Sequence, residues 1–360
     1  MSFLGLQAAQ VDTLLVHSES MNKDIKILAI RPDKAMKGEH CPVIYLIHGY
    51  SDNHEKWLKV RPDLPEIADR EGIIFISPDG GYDSWYWDSP IVKEYRYETF
   101  ISKELTAYVD ANLSSIPDRS KRAITGLSMG GHGAMWNAIR NKDIFGAVGS
   151  TSGGLDIRPF PYNWGMKKYI GERDENLDAW NNHTVINQLD RLKDNDLAII
   201  IDCGISDFFF GVNKAVHERL LQLKIGHDFI ARPGGHYNAY WNNAIDYQIK
   251  FFKKFFEKEK KKESGCNYKT STFFLFLFSH TELASAILLI VEIVLLDDGD
   301  AAFTQTALAP ILFPPSDIGI MRNGIMSGFV DLFQTLPTAG SKSGCNNGQA
   351  MFMCIAGCIQ

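Results

Sequence analysis

The sequence predicts an α/β fold, a mostly parallel central sheet with helices on both faces, and three observations predict it. Short apolar runs recur at residues 42–47, 73–76, 123–125, 147–150 and 197–201, the length and character of strands buried on both faces. Segments with apolar residues at helical spacing stand between these runs, and such alternation is what parallel strands joined by crossovers require. The third is Gly126-Leu127-Ser128-Met129-Gly130, a tight turn between an apolar run and a helical segment.

Residues 11–17 and 24–31 alternate apolar and polar side chains around a polar 18–23 turn, as an antiparallel pair at a sheet edge would. Residues 42–47 form a buried strand ending in His48-Gly49-Tyr50, and a helical region at 57–70 leads to the strand 73–76, closed by Ser77-Pro78-Asp79-Gly80-Gly81. Tyr97, Ile101, Leu105, Tyr108 and Val109 recur at helical spacing, so 95–113 reads as an amphipathic helix. After the strand and helix around Ser128, three more strands are expected at 147–150, 197–201 and 228–231, with helices at 214–224 and 239–261. The stretch 156–182, rich in aromatic residues, is expected to fold as a small cap.

Chemistry in such sheets collects beyond the carboxyl ends of the strands. Ser128 sits there on a strained turn, Asp207 follows the strand 197–201, and His236 follows 228–231. The chain order Ser128, Asp207, His236 is the order used by α/β-hydrolases. His236 would take the Ser128 proton and return it to the leaving group, while Asp207 would hold the imidazole tautomer. Asp202 is the competing acid, but a residue still at the strand end points along the sheet, whereas one further into the loop can swing toward the histidine. The amides of Met129 and Tyr50 are placed to form an oxyanion hole. His132 follows the turn too closely to serve as the base and is expected to pack at the helix start.

These residues carry a family resemblance over roughly 11–256. His48-Gly49-Tyr50 with Trp57, Pro78-Asp79-Gly80 before Ser84-Trp85-Tyr86, the Gly126–Ala134 motif, Cys203-Gly204 with Asp207, and Pro233-Gly234-Gly235-His236 with Tyr240-Trp241 resemble the esterase D-like branch of the α/β-hydrolases. That branch includes tributyrin, feruloyl and acetyl xylan esterases, S-formylglutathione hydrolases and mycolyltransferases. The resemblance implies a serine carboxylesterase on short acyl esters, with Ser128, Asp207 and His236 catalytic, Tyr50 and Met129 as oxyanion donors, and neither metal nor cofactor. Thioester hydrolysis of S-formylglutathione, feruloyl or acetyl xylan ester cleavage, and a non-catalytic or acyl-transferring role are the alternatives. His48, Trp85, Tyr86, Trp87 and Trp241 are the substrate-facing candidates; for the aromatic trio plain loop packing is the competing reading, and for His48 a structural hydrogen bond.

Composition bounds the rest. A formal net charge of -6 without a basic stripe argues against a nucleic-acid partner. The family resemblance implies a small-molecule or carbohydrate-linked ester as the partner, and an oligomer is compatible with it. Of the six cysteines, Cys41 and Cys203 lie in apolar runs, and the others show no zinc-type spacing. Residues 1–10 form a lead whose 4–9 stretch resembles the end of a secretory signal: the protein reads as cytoplasmic as the sequence stands, and as periplasmic or secreted if its start lies upstream. Beyond the hydrolase region at 11–262, residues 263–360 read as an appendage without strand–helix alternation. Within it, the apolar run 273–296 is a poor membrane span because His280, Glu282 and Glu292 interrupt it.

Overall fold

The computed structural model describes residues 9–263, 269–278, 285–295 and 301–312. Strands β1 (Gln10–Ser18), β2 (Lys23–Arg31), β3 (Val43–Ile47), β4 (Ile74–Pro78), β5 (Arg122–Gly126), β6 (Ala147–Thr151), β7 (Ala198–Gly204) and β8 (Asp228–Arg232) form one eight-stranded sheet. Its order is β1-β2-β4-β3-β5-β6-β7-β8. The β1/β2 and β2/β4 pairs are antiparallel and every later pair is parallel, so the antiparallel edge expected from the 11–31 alternation is present.

Period-two alternation divides the strand side chains between two apolar layers. Tyr45, Ile47, Ile76, Ile124, Val148 and Ile201 belong to one, covered by Leu105 and Val109, by Met135 and Ile139 of the helix Met129–Arg140, and by Val216 and Leu220 of Phe210–Gln222. Ile44, Leu46, Phe75, Ala123 and Ile200 belong to the other, covered by Ile67 of Leu64–Glu71 and by Ile245, Ile249 and Phe252 of the long helix Asn238–Glu263. Each of the Val, Leu, Ile, Met and Phe side chains among these, fully buried, contributes roughly 1.5–3 kcal/mol. This is what holds the strand ends, and the loops beyond them, in a fixed frame.

Two local features depart from simple periodicity. The helix expected at 95–113 is helical over Tyr97–Thr99 and Leu105–Asn112, with a wider turn at Phe100–Glu104 between them that helps bring Phe100, Ile101 and Leu105 all into the core. The 156–182 insertion carries the short helices Lys167–Ile170 and Leu177–Asn182, and it buries Ile157, Met166, Ile170 and Trp180 in the first apolar layer.

The chain divides into two compact units, residues 1–265 and 266–360. In the second, β9 (Lys269–Phe278), β10 (Ser285–Leu295) and β11 (Ala301–Leu312) pair antiparallel, with β10 central. The apolar run weighed above as a membrane span therefore falls largely on two strands, consistent with its dense Phe, Ile and Val content. No helix among the described residues is long and apolar enough to cross a membrane. The lead residues 1–8, and Cys266, Cys345, Cys354 and Cys358, lie outside the described residues.

Candidate active site

Strand β5 ends at Gly126 and a helix begins at Met129, leaving Ser128 on the turn with φ 57° and ψ -118°, a conformation that L side chains avoid. The flanking glycines make the turn possible. A Cβ at Gly126 would overlap the backbone of Gly130, and one at Gly130 would overlap the carbonyl oxygens of Ile47 and His48. The strain is held by hydrogen bonds: the Ser128 amide donates to Thr151 O at 3.0 Å, and the Ser128 carbonyl accepts from His132 N and Gly154 N.

Two loops bring the other groups to this hydroxyl. After β7 and β8 the chain segments run against each other, with Ile205 N donating to Arg232 O at 3.0 Å and Ser206 N to Gly234 O at 2.9 Å. Only glycine fits at 204, where a Cβ would overlap the Gly234 carbonyl. Asp207 thereby lies behind His236, its Oδ2 2.9 Å and Oδ1 3.1 Å from Nδ1, and Oδ1 also accepts from Phe209 N at 2.8 Å. On the other side of the ring, His236 Nε2 is 2.9 Å from Ser128 Oγ. A carboxylate accepting from Nδ1–H leaves the Nε2 lone pair directed at the serine proton. The Asp207 side chain is fully buried, and the imidazole packs against Phe208 and, edge to face, against Trp241, with ring centroids at 4.3 and 5.0 Å.

Asp202 is committed elsewhere. It accepts from Arg232 Nη2 and Tyr240 Oη, both at 2.5 Å, and burial pushes its carboxyl above the usual carboxylate range.

Gly49 sets the other side of the site, where an added Cβ would come within 2.8 Å of Leu127 Cδ1 and 3.3 Å of Ser128 Cβ. The next amide, of Tyr50, and the amide of Met129 donate to no group among the described residues, so two N–H donors flank the nucleophile with hydrogen-bonding capacity to spare. A cleft of about 210 Å³ opens here, lined by Tyr50, Asp52, Ser128, Trp164, Phe208, His236 and Trp241 among others.

Of the substrate-facing candidates, Trp241 lines the cleft, and four do not. His48 is fully buried; its Nε2 accepts from Gly80 N at 2.7 Å, which ties the β3 loop to the β4 loop, and its Nδ1 donates to the neighbouring Gly49 O at 2.7 Å, so both ring nitrogens are committed. Trp85, Tyr86 and Trp87 are also buried, which corrects their assignment to a substrate wall. Positive φ at Trp85 and Tyr86 turns this loop inward, where Tyr86 Oη donates to His48 O and Trp87 Nε1 donates to His132 Nε2. His132 in turn donates through Nδ1 to Gly154 O, and burial depresses its pKa to about 3. The sequence reading passed over Phe208 and Asp52. The run Phe208-Phe209-Phe210 directly after the acid was the available signal for the first. Among the described residues no group of three or more His, Cys, Asp or Glu side chains is arranged to hold a metal ion.

The sheet order, the strained serine turn and the loops gathered at one rim define an α/β-hydrolase fold. Residues 18–252 match the family described as "Putative esterase", and the chain belongs to that family of ester hydrolases. It is 27% identical over 250 residues to an acetyl esterase of Caldicellulosiruptor saccharolyticus, covering 64% of this chain and 92% of that protein. It is 36% identical over 155 residues to the diacylglycerol acyltransferase/mycolyltransferase Ag85A of Mycobacterium leprae, covering 41% of this chain and 44% of that one. A solved ferulic acid esterase superposes with a TM-score of 0.60 at 25% identity, over 69% of this chain and 98% of its own.

Proposed function

We propose that this protein is a serine carboxylesterase that cleaves short-chain acyl esters through an acyl-enzyme. The observation that carries the reading is the continuous contact from Asp207 through His236 to Ser128 Oγ, with 2.9 Å on each side of the ring. Ser128 Oγ attacks the ester carbonyl carbon while His236 Nε2 takes its proton, and the Tyr50 and Met129 amides hold the resulting oxyanion. The intermediate collapses by breaking the bond to the alcohol oxygen, which takes the proton from His236. A water molecule then repeats the sequence on the acyl-enzyme and releases the acid. Each oxyanion donor supplies roughly 3 kcal/mol of transition-state stabilisation.

A small ester, and with it a short acyl group, suits the cleft, which at about 210 Å³ lies below the roughly 300–1,000 Å³ usual for larger ligands and has to receive both halves of the substrate. Similarity to an acetyl esterase supports the same choice. The test is kcat/KM on p-nitrophenyl esters from acetate to octanoate, run beside methyl ferulate and S-formylglutathione. Highest efficiency at acetate to butyrate is expected; a preference for octanoate, the ferulate or the thioester would overturn the proposed substrate. Ser128→Ala is expected to lower turnover about 10⁴-fold or more.

A further inference from the structure

One wall of the cleft does not come from the sheet. Trp164 is contributed by the 156–182 insertion, on a turn where it and Gly165 adopt successive left-handed conformations, φ 52° and 67°. Its indole stacks on Phe208 at 5.9 Å, and Phe208 lies on the His236 imidazole at 4.3 Å. Trp164, Phe208 and His236 thus make one continuous surface.

A single buried carboxylate anchors that turn. Asp83, from the loop after β4, accepts from Tyr169 Oη at 2.6 Å and Lys168 Nζ at 2.8 Å in the insertion, and from Tyr95 Oη at 3.2 Å. A Cβ at Gly165 would stand 2.8 Å from Asp83 Oδ2, so the residue after Trp164 rests directly on the anchor. Asp83 has no hydrogen bond to Ser128, His236 or Asp207.

We infer that Trp164 and Phe208 form the binding surface for the alcohol half of the ester, and that Asp83 is the positioning residue that sets it. The inference rests on the roles proposed above for Ser128 and His236. The departing oxygen must lie within hydrogen-bond reach of His236 Nε2 to receive its proton, so the alcohol leaves on the imidazole side. Phe208 packs on that imidazole and Trp164 stacks on Phe208, while Trp241, also against the ring, belongs to the helix Asn238–Glu263 and not to the insertion. A flat, apolar-faced alcohol such as an aryl or pyranose ring can stack there, whereas a small alkyl group covers little of the surface. Selectivity for the alcohol is then set by the insertion and selectivity for the acyl group by other parts of the cleft.

The test uses the full chain and two ester series: benzyl against ethyl acetate, whose alcohols are of similar acidity, and ethyl acetate against ethyl butyrate. Fluorophosphonate titration counts active serines in each preparation. Trp164→Ala is expected to lower the benzyl-to-ethyl ratio of kcat/KM about tenfold, mainly through KM, with the acetate-to-butyrate ratio moving much less. Asp83→Asn, which keeps shape but weakens the grip on Lys168, is expected to move the same ratio in the same direction by about threefold, and Trp164→Phe to restore part of it. A changed acyl ratio with an unchanged alcohol ratio would overturn the inference, as would a uniform fall in kcat across all esters at full titration. Absence of stoichiometric fluorophosphonate labelling in the unaltered protein would instead overturn the assignment of Ser128 itself.

Discussion

Asp202 and Asp207 are both buried and both near the end of β7, and only their partners separate them. Asp207 faces His236 Nδ1, whereas Asp202 is enclosed by Arg232 and Tyr240. Asp207→Asn is therefore expected to reduce kcat about 10⁴-fold with little loss of stability, because the amide favours the wrong imidazole tautomer. Asp202→Ala is expected to cost about 3 kcal/mol in urea unfolding, since it leaves the Arg232 guanidinium without its carboxylate. A reversal of the two results would exchange their roles. His132 supplies a pH dependence that belongs to the fold rather than to catalysis. Its pKa is about 3 in the native protein against 6.5 ordinarily, so between those values the unfolded chain binds the extra proton. Its contribution to stability is complete above pH 6.5 and is lost as pH falls toward 3, by up to about 1.4 kcal/mol per pH unit. His132→Gln, compared with the unaltered protein by urea unfolding at pH 4.5 and 7, is expected to show a shallower acid loss; parallel losses would contradict this.

At the scale of elements, the turn between β5 and its helix works because β3 passes so close behind it. Gly130→Ala forces a methyl group against the Ile47 and His48 carbonyls and is expected to cost about 2–3 kcal/mol and most of the activity, measured by urea unfolding and ester turnover. The same contact explains what was legible in the sequence. A serine between two spaced glycines, after an apolar run, has few structural solutions, and the acid and the histidine each follow a strand, so position in the chain implied position at one rim. The direction in which a loop side chain points was not legible. Trp85, Tyr86 and Trp87 looked like a substrate wall because aromatic residues suit both cleft and core, and the positive φ values that turn the chain inward leave no mark at Trp or Tyr as they would at glycine. Trp164 and Phe208, which do line the cleft, come from separate segments whose meeting depends on the packing of the insertion.

The hydrolase sheet and the three-stranded sheet belong to separate compact units. The groups gathered around Ser128 all come from residues 49–241, within the first unit. A chain ending at residue 265 is expected to keep its ester turnover within about twofold, and an inactive or insoluble product would show that the second unit is needed. The fold was readable from alternation because parallel strands leave nearly continuous apolar runs, whereas the sequence after residue 262 shows no strand–helix alternation and its described strands passed for a marginal membrane segment. Residues 128, 207 and 236, distant in the chain, meet at one end of the sheet, and we propose that they act there as one device. Mass-spectrometric mapping of a fluorophosphonate adduct tests it most directly. A single adduct on Ser128, formed at least a hundredfold more slowly in His236→Ala, is the result expected; an adduct on another residue, or labelling of Ser128 at an undiminished rate without the histidine, would contradict it.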